Sequence, residues 1–140
     1  MRNLQEKPFY GVIKEFEYWV VLFRDKQVTI GSVIIMSKEL DKNSLGDVTP
    51  EAWSEFGVVS TFVETTITKA FGAEKFNYLA LMMYDPEVHF HVIPRYSKPV
   101  NFAGREFIDP DWPSATKKVA LELDQATLDA IKEKLLSANQ

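Results

Sequence analysis

Two runs dense in aromatic and β-branched residues, Phe16–Phe23 (FEYWVVLF) and Val28–Met36 (VTIGSVIIM), stand only four residues apart. Such runs read as strands. The intervening Arg24-Asp25-Lys26-Gln27 has the length of an ordinary hairpin loop and is far too short for the crossover that parallel strands need. The pair is therefore expected to be antiparallel. Gly31, inside the second run, signals a bulge or a close backbone approach. The pattern recurs downstream, where Phe76–Met83 (FNYLALMM) and Val88–Arg95 (VHFHVIPR) are joined through Tyr84-Asp85-Pro86, a turn-forming tripeptide.

Between the two pairs lies a helix signal. Thr49 is a capping residue, Pro50 fits the first helical position and Glu51 complements the helix dipole. Trp53, Phe56, Val59, Val63, Ile67 and Ala70 then recur at steps of three or four, drawing one apolar stripe that ends at Gly72. Lys38–Val48 reads as a surface connection ending at Gly46 and Asp47. After the second pair, Tyr96–Lys118 reads as a long irregular loop carrying Pro99, Pro110 and Pro113. Val119–Leu123 is expected to form a short edge strand. Asp124 then caps a C-terminal helix with Leu128, Ile131 and Leu135 on one face. The expected fold class is α+β, an antiparallel sheet of about five strands with a long central helix and a C-terminal helix. Residues 1–140 are expected to form one domain, with no internal repeat.

Composition narrows the function classes. The 140 residues are 46% hydrophobic and 26% charged, the profile of a soluble domain able to bury a core. The net charge of −4 argues against a partner such as duplex nucleic acid. No window approaches the roughly 18 apolar residues of a membrane helix. The N-terminal stretch lacks the apolar run of a signal peptide, so a cytoplasmic location is the simplest expectation. The absence of cysteine excludes thiol nucleophiles and thiolate metal sites. Only two histidines are present, His89 and His91.

In a strand, side chains alternate between faces, so Val88, Phe90 and Val92 point one way and Glu87, His89 and His91 the other. Neighbours on that polar face lie roughly 6.5–7 Å apart along the strand, a span suited to gripping a phosphate or chelating a metal. The plainer alternative is a pair of exposed polar residues. A metal site needs further ligands, for which Glu87, Asp85 and Glu106 are the only nearby acids, so metal binding through His89 and His91 ranks a distant third among the readings.

Asn77-Tyr78-Leu79-Ala80-Leu81, followed by Glu87-Val88-His89-Phe90-His91-Val92-Ile93-Pro94-Arg95-Tyr96, resembles the histidine triad nucleotide hydrolases and transferases. Their signature is three histidines separated by single apolar residues, often continued by Pro-Arg. Arg24–Lys38 is similar to the upstream strand of that family, with Ile30-Gly31 in place of its Pro-Gly. The resemblance covers roughly residues 16–96. It implies that His89 is the nucleophile, attacking the α-phosphorus of a nucleotide ester, anhydride or phosphoramidate to form a nucleotidyl-histidine that water cleaves. It implies that His91 binds the same phosphate. No metal or other cofactor is needed for this route. Glu87 stands where the family has its first histidine, a supporting position. Its carboxylate would repel a phosphate or, if protonated, donate a proton to a leaving oxygen, while the nucleophile can be oriented by a backbone carbonyl that any residue supplies.

The resemblance puts the family's ribose-contacting position at Arg24 or Asp25, a register open by one residue, and Asp25 is the candidate nucleotide ligand, with a solvated loop charge as the alternative. Arg95 is a second candidate, as a phosphate ligand or as a surface ion-pair partner. Phe102, Phe107 and Trp112 offer either base-stacking surfaces or packing groups. The leading expectation is hydrolysis of, or nucleotidyl transfer from, dinucleoside polyphosphates or nucleoside phosphoramidates. The alternative is a nucleotide-binding module silenced by Glu87. The resemblance also implies a homodimer.

Overall fold

A computed structural model describes residues 11–139. Met1–Tyr10, the start of the stretch read as lacking a signal peptide, and Gln140 lie outside the described residues. The core is a five-stranded sheet in the order β1-β2-β3-β5-β4, built from β1 (Val12–Glu15), β2 (Trp19–Phe23), β3 (Val33–Ser37), β4 (Lys75–Leu79) and β5 (His89–Arg95). Every neighbouring pair is antiparallel. A long helix, α1 (Pro50–Phe71), and a C-terminal helix, α2 (Gln125–Ala138), complete the expected α+β class.

The first apolar run divides into a turn and a strand. Phe16 N–H donates to the Trp19 carbonyl (2.8 Å), closing a β1–β2 turn. The Glu55 carboxylate of α1 accepts from the Glu17 and Tyr18 amides (3.1 and 2.8 Å). A helix side chain thus stabilises a turn where composition favours a strand, a tertiary override of local propensity.

The second run is also shorter than its composition suggests, because β3 begins only at Val33. Gln27, fully buried, folds the preceding residues back. Its amide donates to the Arg24 and Ser32 carbonyls, and its oxygen accepts from the Gly31 and Ser32 amides. Gly31 has φ +93°, and a side chain there would meet Phe71 and Ile67 at 3.1–3.2 Å. Glycine therefore serves both the backbone conformation and the close approach to α1.

Strand alternation sends Trp19, Val21, Phe23, Val33, Ile35, Phe90 and Val92 to one face of the sheet, where they are buried with Val59, Val63 and Ile67 of α1. Each such side chain contributes about 1.5–3 kcal/mol on removal from water. Phe56 packs edge-on to Trp19 (centroids 5.0 Å apart) and against Phe90 (4.9 Å). The Trp19 indole N–H donates to the Ala52 carbonyl (2.8 Å), so the buried ring keeps its polar contact. α1 begins and ends as its sequence indicates. The Thr49 hydroxyl accepts from Ala52 N–H (3.3 Å), and Gly72 closes the helix at φ +75°.

Two expectations fail on the C-terminal side. Within the stretch read as irregular, Val100–Phe102 (β6) and Arg105–Phe107 (β7) form a hairpin. Its turn residues, Ala103 and Gly104, both have positive φ (53° and 72°), the geometry that matches strand twist in two-residue hairpins. Val119–Leu123 forms no strand. It runs along the sheet region instead, with Leu121 N–H donating to the Gln27 carbonyl (2.7 Å) and Leu121 and Leu123 packed against the core. α2 starts at Asp124, whose carboxylate accepts from Thr127 N–H (2.9 Å), and buries Ile131 and Leu135. No helix among the described residues is long and apolar enough to cross a membrane.

Candidate functional site

The sheet face turned away from α1 carries the histidines. Cross-strand partners share a face, and the register aligns Leu22, Ile34, His91 and Leu79 in one row and Val20, Met36 and His89 in the next. The strands β2 and β3 thus give this face an apolar floor, and β5 supplies two imidazoles to it. The rings stand edge-on with centroids 5.0 Å apart. They border a cavity of about 480 Å³, within the range of small-molecule sites. Its walls include Leu22, Ile34 and Met36 from the floor, Arg24, Asp25 and Lys26 from the loop after β2, and Lys118 from the segment before α2.

The hydrogen bonds fix the two tautomers. His89 Nδ1 lies 2.7 Å from the Glu87 carbonyl oxygen. A carbonyl can only accept, so Nδ1 carries a proton, and in the neutral ring Nε2 is the nitrogen that keeps its lone pair. His91 Nδ1 faces the Arg24 guanidinium, which can only donate. Its proton therefore sits on Nε2. Burial, and behind it the charges of Arg24 and Lys118 and the adjacent His89, lower the pKa of His91 from 6.5 to about 3. His91 is accordingly neutral at pH 7. The pair consists of one imidazole with a free lone pair and one with a free N–H.

Glu87 is placed differently from the alternation expectation. β5 begins at His89, Glu87 occupies a bend, and its half-buried side chain does not line the cavity. Its carbonyl is what reaches His89. The β4–β5 connection is longer than a tripeptide turn, because β4 ends at Leu79 and β5 begins at His89. Leu81, Met83, Tyr84 and Asp85 of this connection form the rim, with the Tyr84 and Met83 side chains largely in solvent.

Asp25 is at the cavity, as its position in the loop after β2 allows. Arg95 is not. It projects from β5 about 13 Å beyond His91, four residues at strand rise. There Asp109 grips it through Nε (2.6 Å) and Nη2 (3.2 Å). It donates further to Asn77 Oδ1 (2.7 Å) and the Ser114 carbonyl (2.8 Å). With only 4% of its surface exposed, Arg95 ties the loop after β5 to the sheet, away from the histidine cavity. β5 also runs through Pro94. The Pro94 carbonyl accepts from Thr29 on the side where β3 has already ended, so the missing N–H interrupts no ladder.

Phe107 is buried in the core and Phe102 stacks edge-on to Phe71 (5.3 Å), while neither they nor Trp112 line the cavity. No cluster of three or more His, Asp or Glu side chains suited to a metal ion occurs among the described residues. Sequence reasoning did not find Lys118, which reaches the cavity through tertiary folding alone. It met Arg24 only as an alternative register to Asp25, although its place between a strand and a polar loop was the available signal.

No protein-family model matches the chain, and no curated protein matches it by sequence. Solved structures do. A histidine triad protein of Marinobacter aquaeolei aligns at TM-score 0.71 and 21% identity, over 91% of this chain and 87% of that one. A histidine triad protein of Sinorhizobium meliloti aligns at 0.70 and 20%, over 90% and 87%. A hypothetical histidine triad nucleotide-binding protein of Sulfolobus tokodaii aligns at 0.68 and 16%, over 91% and 82%. At these identities the likeness speaks for architecture, and the chain has the fold of the histidine triad proteins.

Proposed function

We propose that the cavity binds a nucleotide by its α-phosphate and that His89 and His91 hydrolyse or transfer it. The observation that carries this reading is the complementary pair of tautomers. A fold hosts many activities, so the site has to carry the argument. His89 Nε2, with its lone pair free, attacks the α-phosphorus. The bond from phosphorus to the leaving oxygen or nitrogen breaks, and the leaving group departs with that electron pair, a phosphate oxygen as the anion and a nitrogen with a proton taken from solvent as the neutral amine. His91 donates its Nε2–H to a phosphoryl oxygen as charge develops there. Water then attacks the nucleotidyl-histidine, releasing the nucleoside monophosphate and returning His89 to its starting form. The apolar floor of Leu22, Ile34 and Met36 suits a base, and Asp25 suits the ribose hydroxyls.

The position of Glu87 favours retained catalysis over a silenced binding module. Its contribution to His89 is a backbone carbonyl, and its carboxylate does not line the cavity. The test is turnover on a panel of dinucleoside polyphosphates and nucleoside phosphoramidates by the wild-type chain and by His89→Ala. Hydrolysis by the wild type and its loss in the variant support the reading. Nucleotide binding without turnover by the wild type would favour the silenced module.

A further inference from the structure

Arg24 and Lys118 are more cation than the histidine pair requires. The Arg24 guanidinium commits one N–H to His91 Nδ1 and its Nε–H to the Lys26 carbonyl (2.8 Å). A guanidinium has five N–H donors, so three remain, and none meets a protein acceptor among the described residues. The Lys118 ammonium likewise has neither an acceptor nor an ion-pair partner among those residues. Both side chains are half-buried and line the same cavity. Asp25 and Asp85 also line it, and neither forms an ion pair with either cation. Burial and the charge of Arg24 lower the pKa of Lys118, so the two cations stand close enough to repel.

The chain maintains this arrangement at a conformational cost. Lys118 has φ +57°, a region that residues with side chains seldom occupy. Its N–H donates to Thr116 Oγ1 (3.0 Å), and the N–H of Lys117 donates to Asp111 Oδ2 (3.0 Å). Three residues on, Leu121 N–H donates to the carbonyl of Gln27, whose side chain also holds the Arg24 carbonyl. One buried glutamine therefore sets both cations relative to each other.

We infer that Arg24 and Lys118 form a second anion site beside the histidine pair, which takes the phosphate adjoining the one at His89 and selects ligands with a diphosphate over those with one phosphate. This rests on the nucleotide reading and narrows it toward anhydrides and away from phosphoramidates of simple amines. Two like charges with spare donors are stabilised by an anion between them, and charge-assisted bonds to phosphate are the strong class.

The test is calorimetric binding of adenosine 5′-monophosphate and of its 5′-diphosphate with a methylene bridge between the phosphorus atoms, which resists cleavage. The full chain, Lys118→Gln, and Lys75→Gln as a charge-matched change outside the cavity are compared. The wild type and Lys75→Gln are expected to bind the diphosphate about tenfold more tightly than the monophosphate, as one good charge-assisted contact would give. Lys118→Gln is expected to lose most of that ratio. Equal affinities in the wild type would overturn the second site while leaving the nucleotide reading intact. A ratio unchanged in Lys118→Gln would overturn the assignment to Lys118, and equal preference for adenosine 3′,5′-bisphosphate would overturn the adjoining position. If none of these nucleotides binds, the nucleotide reading itself fails and the second site with it.

Discussion

Arg24 fixes the tautomer of His91 and, after burial, is the next largest cause that disfavours its protonated form. That suppression of protonation reaches stability. The pKa of His91 is lowered from 6.5 to about 3, so across that interval the unfolded chain binds a proton that the folded chain refuses. Stability therefore falls as the pH drops through this window and levels off below about 3. Denaturant unfolding between pH 7 and pH 4.5 should show a smaller loss for His91→Gln than for the wild type. Identical slopes would mean that His91 titrates normally. Glu87 gives a second residue-scale prediction. Because its carbonyl orients His89, Glu87→Ala should retain turnover within about tenfold of wild type, the scale of losses from disturbed supporting shells. A larger loss would assign a role to the carboxylate. The facing of His89 and His91 was legible in the sequence, since alternation along a strand is a local property. The withdrawal of the Glu87 side chain was not, because it depends on where β5 begins.

Among the elements, those whose signals are local were legible and those imposed from outside were not. Thr49-Pro50 and Gly72 mark α1, and the apolar spacing from Val59 to Ile67 gives its buried face. The loop between β2 and β3 runs from Arg24 to Ser32, longer than the four residues its composition indicates, because Val28 to Gly31 have strand composition. The four hydrogen bonds of Gln27 override that preference and fold them into the turn that presents Arg24 and Asp25. Gln27→Ala would leave buried amides without their acceptor and should cost about 3 kcal/mol by denaturant unfolding, with a parallel loss of nucleotide affinity. A cost below about 1 kcal/mol would show that the loop is held by other contacts. The β6–β7 hairpin was missed for the opposite reason. Its strands have three residues each, and Ala103 is not a residue that announces positive φ.

At the scale of the molecule, the sheet divides its labour. One face is sealed by α1 around Trp19, Phe56 and Phe90, and the other presents two histidines over an apolar floor. The Arg95–Asp109 pair anchors the long loop at the end of β5 and stands apart from the cavity. Arg95→Met should cost about 3–5 kcal/mol by leaving a buried carboxylate unpaired. Arg95→Met with Asp109→Asn, which removes the charge but keeps an oxygen to accept from the Tyr96 and Asp111 amides, should recover part of that stability and bind nucleotide as the wild type does. Loss of binding in this stably folded double variant would return Arg95 to the site.

Covalent nucleotidylation of His89 would be seen most plainly by intact-mass spectrometry of acid-free, rapidly quenched mixtures with a dinucleoside polyphosphate. A mass gain of one nucleotidyl group is expected in the wild type, localised to His89 by peptide mapping and absent from His89→Ala. Turnover without any adduct at His89, or an adduct that persists in His89→Ala, would overturn the assignment of His89 as the nucleophile.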